Sequence, residues 1–298
     1  MQNLWWVFAF CAGLMTALFV FSNQVFRLKG SMVMIYRGLG TAIFLLPFCF
    51  LVTPPESSVF YYLCCGNGLL IAFLDNRVLN AAKTFGAENA AMLQPLSIVF
   101  EFFAWFFFVP NLLSNMAQNP VRLGIIIIAL LCLAFSFFML KKNNVTKRAF
   151  LYLLPAMLSV MVIDIQCKIL MSVDTSRLLS SIFYYSLITS AVAGSINAFI
   201  YFKNGNTLSE VIKPKNLLFA GVPLVVLMLS IYTFKNCSLH WVENPAYTMA
   251  IINLYPLWVA AANRIYNKYF NHISYPASDR KVLLLITAAV VALIICAN

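Results

Sequence analysis

Charge is what this chain has least of: 10% of its 298 residues are Asp, Glu, Lys or Arg, and only nine are acidic. A water-soluble domain carries about 25%, so little of this chain can form a soluble surface. Histidine is scarcer still. His240 and His272 are the only two, far apart in expected loops, which excludes an HExxH zinc centre and weakens any reading as a membrane enzyme. No GxxxxGK[ST] segment occurs, so there is no phosphate-cradling loop for ATP. The eight cysteines, among them Cys11, Cys64, Cys65 and Cys132, fall in or beside apolar runs without zinc or disulfide spacing. They read as small packing residues, and neither a cofactor nor a metal is expected.

What the chain has is apolar length. Hydrophobic residues make up 62% of it, with a mean hydropathy of +0.87. A helix needs about 20 apolar residues to cross the hydrocarbon of a bilayer. Ten such stretches follow one another, at 4–22, 31–52, 59–81, 88–109, 122–140, 150–172, 180–202, 216–235, 243–267 and 281–297. The expected fold is all-α and integral to the membrane. The first span is too long for a signal peptide, has no basic residue before it and lacks a clear cleavage site, so it reads as a retained helix. The net charge of +11 sits in loops rather than on one amphipathic face, which favours membrane orientation over nucleic-acid binding.

The chain also echoes itself. "NAAKTFGAENAAMLQPLSIVFEFFAW" from Asn80 and "NCSLHWVENPAYTMAIINLYPLWVA" from Asn236 both run from Asn to Glu-Asn-x-Ala at the head of a long apolar helix. Laid from Glu88 onto Glu243, they set Glu101 opposite Pro256. A weaker echo matches Asn23 and Arg27 with Asp164 and Lys168. This suggests two five-helix halves, 1–142 and 149–298, joined by the basic linker 141–148. An odd number of spans per half inverts the second.

"MIYRGLGTAIFLLPF" at 34–48, "SNQVFR" closing the first span, the Ala-rich opening of the fourth and "RLGIIIIALLCLA" in the fifth resemble the EamA-like branch of the drug/metabolite transporter superfamily. The resemblance covers nearly the whole chain through short motifs. It implies a ten-helix carrier of two inverted five-helix repeats, with a central cavity between helices 1–4 and 6–9. Two departures stand out. The Leu-Gly-Glu that commonly ends the family's fourth helix is replaced by Phe108, Val109 and Pro110, and its mid-helix proline is present as Pro256 but replaced by Glu101 in the first half.

Of the 20 Lys and Arg residues, 15 lie in or near odd-numbered connections and 4 towards the others, with Arg37 set aside. The positive-inside rule then places both termini outside, whereas the resemblance implies termini inside. The membrane expected is the inner or plasma membrane.

Ionisable groups at membrane depth cost roughly 2.5 to 3.5 kcal/mol on insertion scales, so they face a polar cavity or a partner. Glu101 stands midway along the fourth span with no lysine on its own helix face. It reads either as a cavity or coupling carboxylate or as a structural group bonded to a neighbouring helix. Asp164 and Lys168 are one turn apart and able to pair, with Lys168 snorkelling, or Asp164 and its repeat counterpart Asn23 both point inward as a polar pair. Arg37, two turns into the second span, either grips a substrate carboxylate or phosphate or pairs with Glu101 or Asp75. Asp75 and Arg77 read as an interfacial or interhelical ion pair. Trp105, Trp241, Tyr247, Tyr255 and Trp258 line the fourth and ninth helices with polar-edged rings, and Pro245 and Pro256 interrupt the ninth. The fifth and tenth spans have no ionisable interior, which suits lipid-facing supports or a homodimer contact.

The function these features point to is a secondary transporter of a small polar, amino-acid-like or cationic metabolite, driven by a gradient or by exchange. A channel lacks an evident ring of charges. One prediction follows from the position of Glu101. Glu101→Gln abolishes proton-linked transport while the protein stays folded in the membrane, and its thermal stabilisation by substrate is lost.

Overall fold

The computed structural model describes residues 4–26, 28–85, 97–139, 147–173, 177–255, 257–259, 261–262, 265 and 280–297. They are helical almost throughout, with no strand among the described residues. In hydrocarbon every backbone N–H and C=O must be satisfied within the chain, and the α-helix does so locally. The helices are α1 (Trp5–Phe26), α2 (Gly30–Phe50), α3 (Ser58–Phe85), α4 (Ser97–Phe108), α5 (Pro110–Ala117), α6 (Pro120–Met139), α7 (Lys147–Val173), α8 (Leu178–Lys203), α9 (Leu208–Ile212), α10 (Pro214–Trp241), α11 (Pro245–Ile252) and α12 (Arg280–Ala297). Helical residues fall in all ten expected stretches. Six of the helices, α1, α2, α3, α7, α8 and α10, are long and apolar enough to cross a membrane, which makes this a multi-pass membrane protein.

Proline sets the breaks. Pro110 forces Val109 out of helical geometry (φ −132°, ψ 74°), and α5 leaves α4 at 109° where the sequence suggests only a loop. At α11 the side chain of Asn244 accepts from the Ala246 N–H at 3.0 Å, with Pro245 in the first turn.

Packing follows a fixed set of partners. α1 lies against α10 and α11; α7 lies against α3, α4 and α10; α8 touches α2 and α3; α10 touches α2; α4 meets α11; and α6 meets α12. The α2/α8 crossing is the tightest. Gly38 and Gly194 meet there main chain to main chain, and a Cβ on either would collide with the other's backbone. Gly38 lies within a π-helical turn, Tyr36–Gly40, of the kind that often marks functional sites.

The two ends of this antiparallel pair are fastened alike. At the start of α2, Lys29 bonds Glu210 at 3.0 Å and Asn206 at 3.3 Å, and the Tyr36 hydroxyl donates to the Val211 carbonyl at 2.6 Å. At the start of α8, Arg177 bonds Glu56 at 3.1 Å and the Tyr184 hydroxyl donates to the Val52 carbonyl at 3.0 Å. In both, a cation precedes the helix and a tyrosine follows seven residues on. Outside the membrane-spanning helices, the hydrogen bond from Lys29, a second from Tyr201 and the charge of Lys29 hold the Glu210 carboxyl below its usual range. Its stabilising contribution is therefore full above the unfolded value of about 4.3 and is lost as pH falls through the lowered folded value.

Gly194→Ala is expected to lower the thermal unfolding temperature in detergent, since overpacking costs about 1–3 kcal/mol. Gly66→Ala, with nothing within 4 Å of its Cβ position, leaves that temperature unchanged or slightly raised.

Candidate functional site

A cavity of about 300 Å³ lies among α1, α2, α3, α7, α8, α10, α11 and the segment after α11, at the small end of the range for ligand sites. Its wall is mainly apolar, with Met34, Ile71, Ile163 and Met228, and is punctuated by Thr16, Tyr185, Tyr232, Asn236, Asn253 and Tyr255.

Two ion pairs reach this cavity. Arg37 in the π turn of α2 donates from Nη1 to Asp75 Oδ1 on α3 at 2.6 Å, and Asn197 of α8 donates to Asp75 Oδ2 at 3.1 Å. Asn76 extends the chain by donating to Asn197 Oδ1 at 2.9 Å. The second pair joins Asp164 of α7 to Lys235 of α10. In each the acid is sealed and the cation is not: side-chain exposure is 5% for Asp75 and 1% for Asp164, against 21% for Arg37 and 17% for Lys235. All four residues line the cavity.

Behind the second pair is Glu101, fully buried on α4 where α4 packs against α7 and α11. Neither of its oxygens has a hydrogen-bond partner, and Asp164 Oδ2 is likewise without one. Glu101 interacts electrostatically with Asp164 and Lys235, so three ionisable groups from three helices form one cluster. It does not line the cavity itself. The fully buried Asn236, which does, has no partner for either amide atom among the described residues.

These contacts decide between the alternatives the sequence leaves open. Arg37 pairs with Asp75, not with Glu101. Asp164 pairs with Lys235, while Lys168 turns away and donates to the His240 carbonyl at 3.1 Å; the expected pairing of Asp164 with Lys168 is thereby corrected. Asp75 and Arg77 do not pair either. Two residues apart on a helix, they point to different sides, and Arg77 instead donates to the Tyr152 carbonyl at 3.0 Å and lies over its ring at 4.4 Å. Tyr255 lines the cavity, whereas Trp258 packs edge-on against Phe10 of α1. Trp105 is buried beside Phe108, and Tyr247 packs against Trp5 and Phe102. The side chain of Asn23 and all of Pro256 lie outside the described residues.

Lys235, Tyr232 and Asn236 escape the sequence reading. It ends the eighth span at residue 235, so the lysine looks like a terminal charge, but α10 continues to Trp241 and carries Lys235 well inside. The polar Lys-Asn pair is the signal that misleads. No group of three or more His, Cys, Asp or Glu residues suited to a metal occurs among the described residues. No protein-family model matches this chain, and no curated protein matches it.

Removing Arg37 strands a sealed carboxylate. Arg37→Ala should destabilise by about 3–5 kcal/mol, and Arg37→Ala with Asp75→Leu should recover much of that, both read as thermal unfolding in detergent.

Proposed function

We propose that this protein is a secondary carrier that moves a small zwitterionic, amino-acid-like metabolite across the membrane by alternating access. In this reading it belongs with the drug/metabolite transporter superfamily and has ten spanning helices in two inverted repeats, 1–142 and 149–298. The observation that carries the proposal is the cavity walled by both parts of the chain, with an ion pair of each reaching into it: Arg37–Asp75 from the first and Lys235–Asp164 from the second. A carboxylate suits the exposed faces of the two cations. An ammonium group suits the carbonyl and hydroxyl oxygens of Asn236, Asn253 and the tyrosines.

The pattern of helix partners supports the repeat. Exchanging α1 with α7, α2 with α8, α3 with α10, α4 with α11 and α6 with α12 turns the principal pairings into one another except for α7/α10, the pair that carries Asp164 and Lys235, whose image α1/α3 is not a principal pairing. The two fastenings of α2 and α8 also exchange, Lys29 with Arg177 and Tyr36 with Tyr184. In carriers built from inverted repeats the ligand site lies at the repeat interface, and the position of the cavity between the two parts of the chain is consistent with this reading. The α6/α12 pair, with Ile128, Phe135 and Ile295 exposed, serves as a lipid-facing support.

The test is a thermal-shift screen in detergent against amino acids, nucleotides, sugars and methylated amines, followed by uptake of each stabilising compound into proteoliposomes. The expected result is stabilisation by zwitterionic amino-acid-like compounds, with saturable uptake that shows counterflow. Non-saturable flux would mean a channel, and chemical turnover of the compound an enzyme; either outcome removes the carrier reading.

A further inference from the structure

Glu101 is the most buried of the Asp, Glu, Lys and Arg residues described, and the ion-pair arrangement leaves it without a counter-charge of its own. The groups around it can be named helix by helix. α7 brings Asp164 and Cys167 and α10 brings Lys235, while the tyrosine of α11, Tyr247, packs against the neighbouring Phe102 ring. α5 carries no ionisable side chain, and the arginine of α6, Arg122, is bonded to the Cys296 carbonyl. One cation, Lys235, therefore serves two buried carboxylates. It lies on Asp164, and neither Glu101 oxygen accepts a hydrogen bond.

We infer that the Glu101–Asp164–Lys235 cluster holds one exchangeable proton, on Glu101, and that this proton enters the cavity site together with an anionic ligand group at Lys235. An ionised carboxylate in a sealed apolar setting is unfavourable unless it is paired and hydrogen-bonded. Adding one proton makes the cluster neutral. A metal cation would instead need a cage of oxygens, and among the described residues the unpartnered carboxylate oxygens of the cluster are those of Glu101 and Asp164 Oδ2, with the Asn236 amide oxygen on the cavity wall nearby.

Lys235 links this proton to the cavity. Both Lys235 and Asp164 line the cavity, and the lysine side chain is the more exposed of the two. With Glu101 neutral, Lys235 has one internal partner and can share its remaining donors with an incoming carboxylate or phosphate. With Glu101 ionised, a second internal carboxylate competes for the same ammonium and repels the incoming anion. Proton and anionic group thus favour each other's binding, and that coupling is reciprocal. The proton balance is simple: one proton joins a Glu101 oxygen when the anionic group binds and leaves when it departs, so a carrier built this way moves the two in the same direction. This last step rests on the carrier reading; the protonated Glu101 does not.

The experiment is infrared difference spectroscopy of the full-length protein in lipid across a pH titration, with no substrate added. A protonated-carboxyl C=O band is expected at neutral pH. It should shift on 13C-glutamate labelling, exchange slowly with deuterium and vanish in Glu101→Gln. Lys235→Met should add a second band that shifts with 13C-aspartate, because Asp164 then loses its cation. Absence of any glutamate-derived protonated band in the wild-type protein overturns the inference, and so does loss of that band on adding sodium at constant pH. If either variant fails to fold, labelling of the wild-type protein still decides. Because no substrate is used, a negative spectrum and a negative transport screen refute different claims.

Discussion

The α2/α8 crossing depends on two residues having no side chain. Gly38 and Gly194 bring the two main chains into direct contact, and small residues are what allow such approach between helices in lipid. The geometry of the first ion pair is built on this contact. Arg37 immediately precedes Gly38, and Asn197 lies one turn beyond Gly194, so the closeness of the helices sets the reach from Arg37 to Asp75 and from Asp75 to Asn197. Wider spacing would leave a charge and two amides stranded in an apolar interior.

The two ion pairs have the same design with different supports. Asp75 has both oxygens engaged, one by a guanidinium and one by an amide, whereas Asp164 has only one engaged. The first pair is a closed network. The second is open, with unused acceptors on Asp164 and Glu101 and an ammonium shared at the cavity wall. Buried ion pairs are poor sources of net stability, which directs attention to what such a pair does rather than what it holds together. A fully bonded network keeps one arrangement, and an underbonded one has alternatives within reach.

Much of this architecture was legible in the sequence, and the parts that were not share a physical reason. Apolar length located the helices because bilayer thickness fixes it, and Arg37 and Glu101 were conspicuous because charge at depth is rare. Partner choice was less legible. Asp164 and Lys168 sit at a spacing that permits pairing, but spacing along one helix says nothing of a lysine arriving from another. Lys235 was hidden by a span boundary drawn at a polar dipeptide, when the helix runs on through it. Tyr36 and Tyr184 gave no local sign of their roles because their acceptors are more than a hundred residues away along the chain.

Those tyrosines bear on how the molecule can move. A rod fastened at one end can slide along its neighbour, but α2 and α8 are fastened at both ends, each to the segment that follows the other. Lengthwise slippage would break hydrogen bonds on both faces of the membrane at once. Rotation about the bare Gly38–Gly194 contact strains them far less, since the displacement is smallest near the axis. The pair thus has the build of an axle, pinned at both ends and bare at its middle.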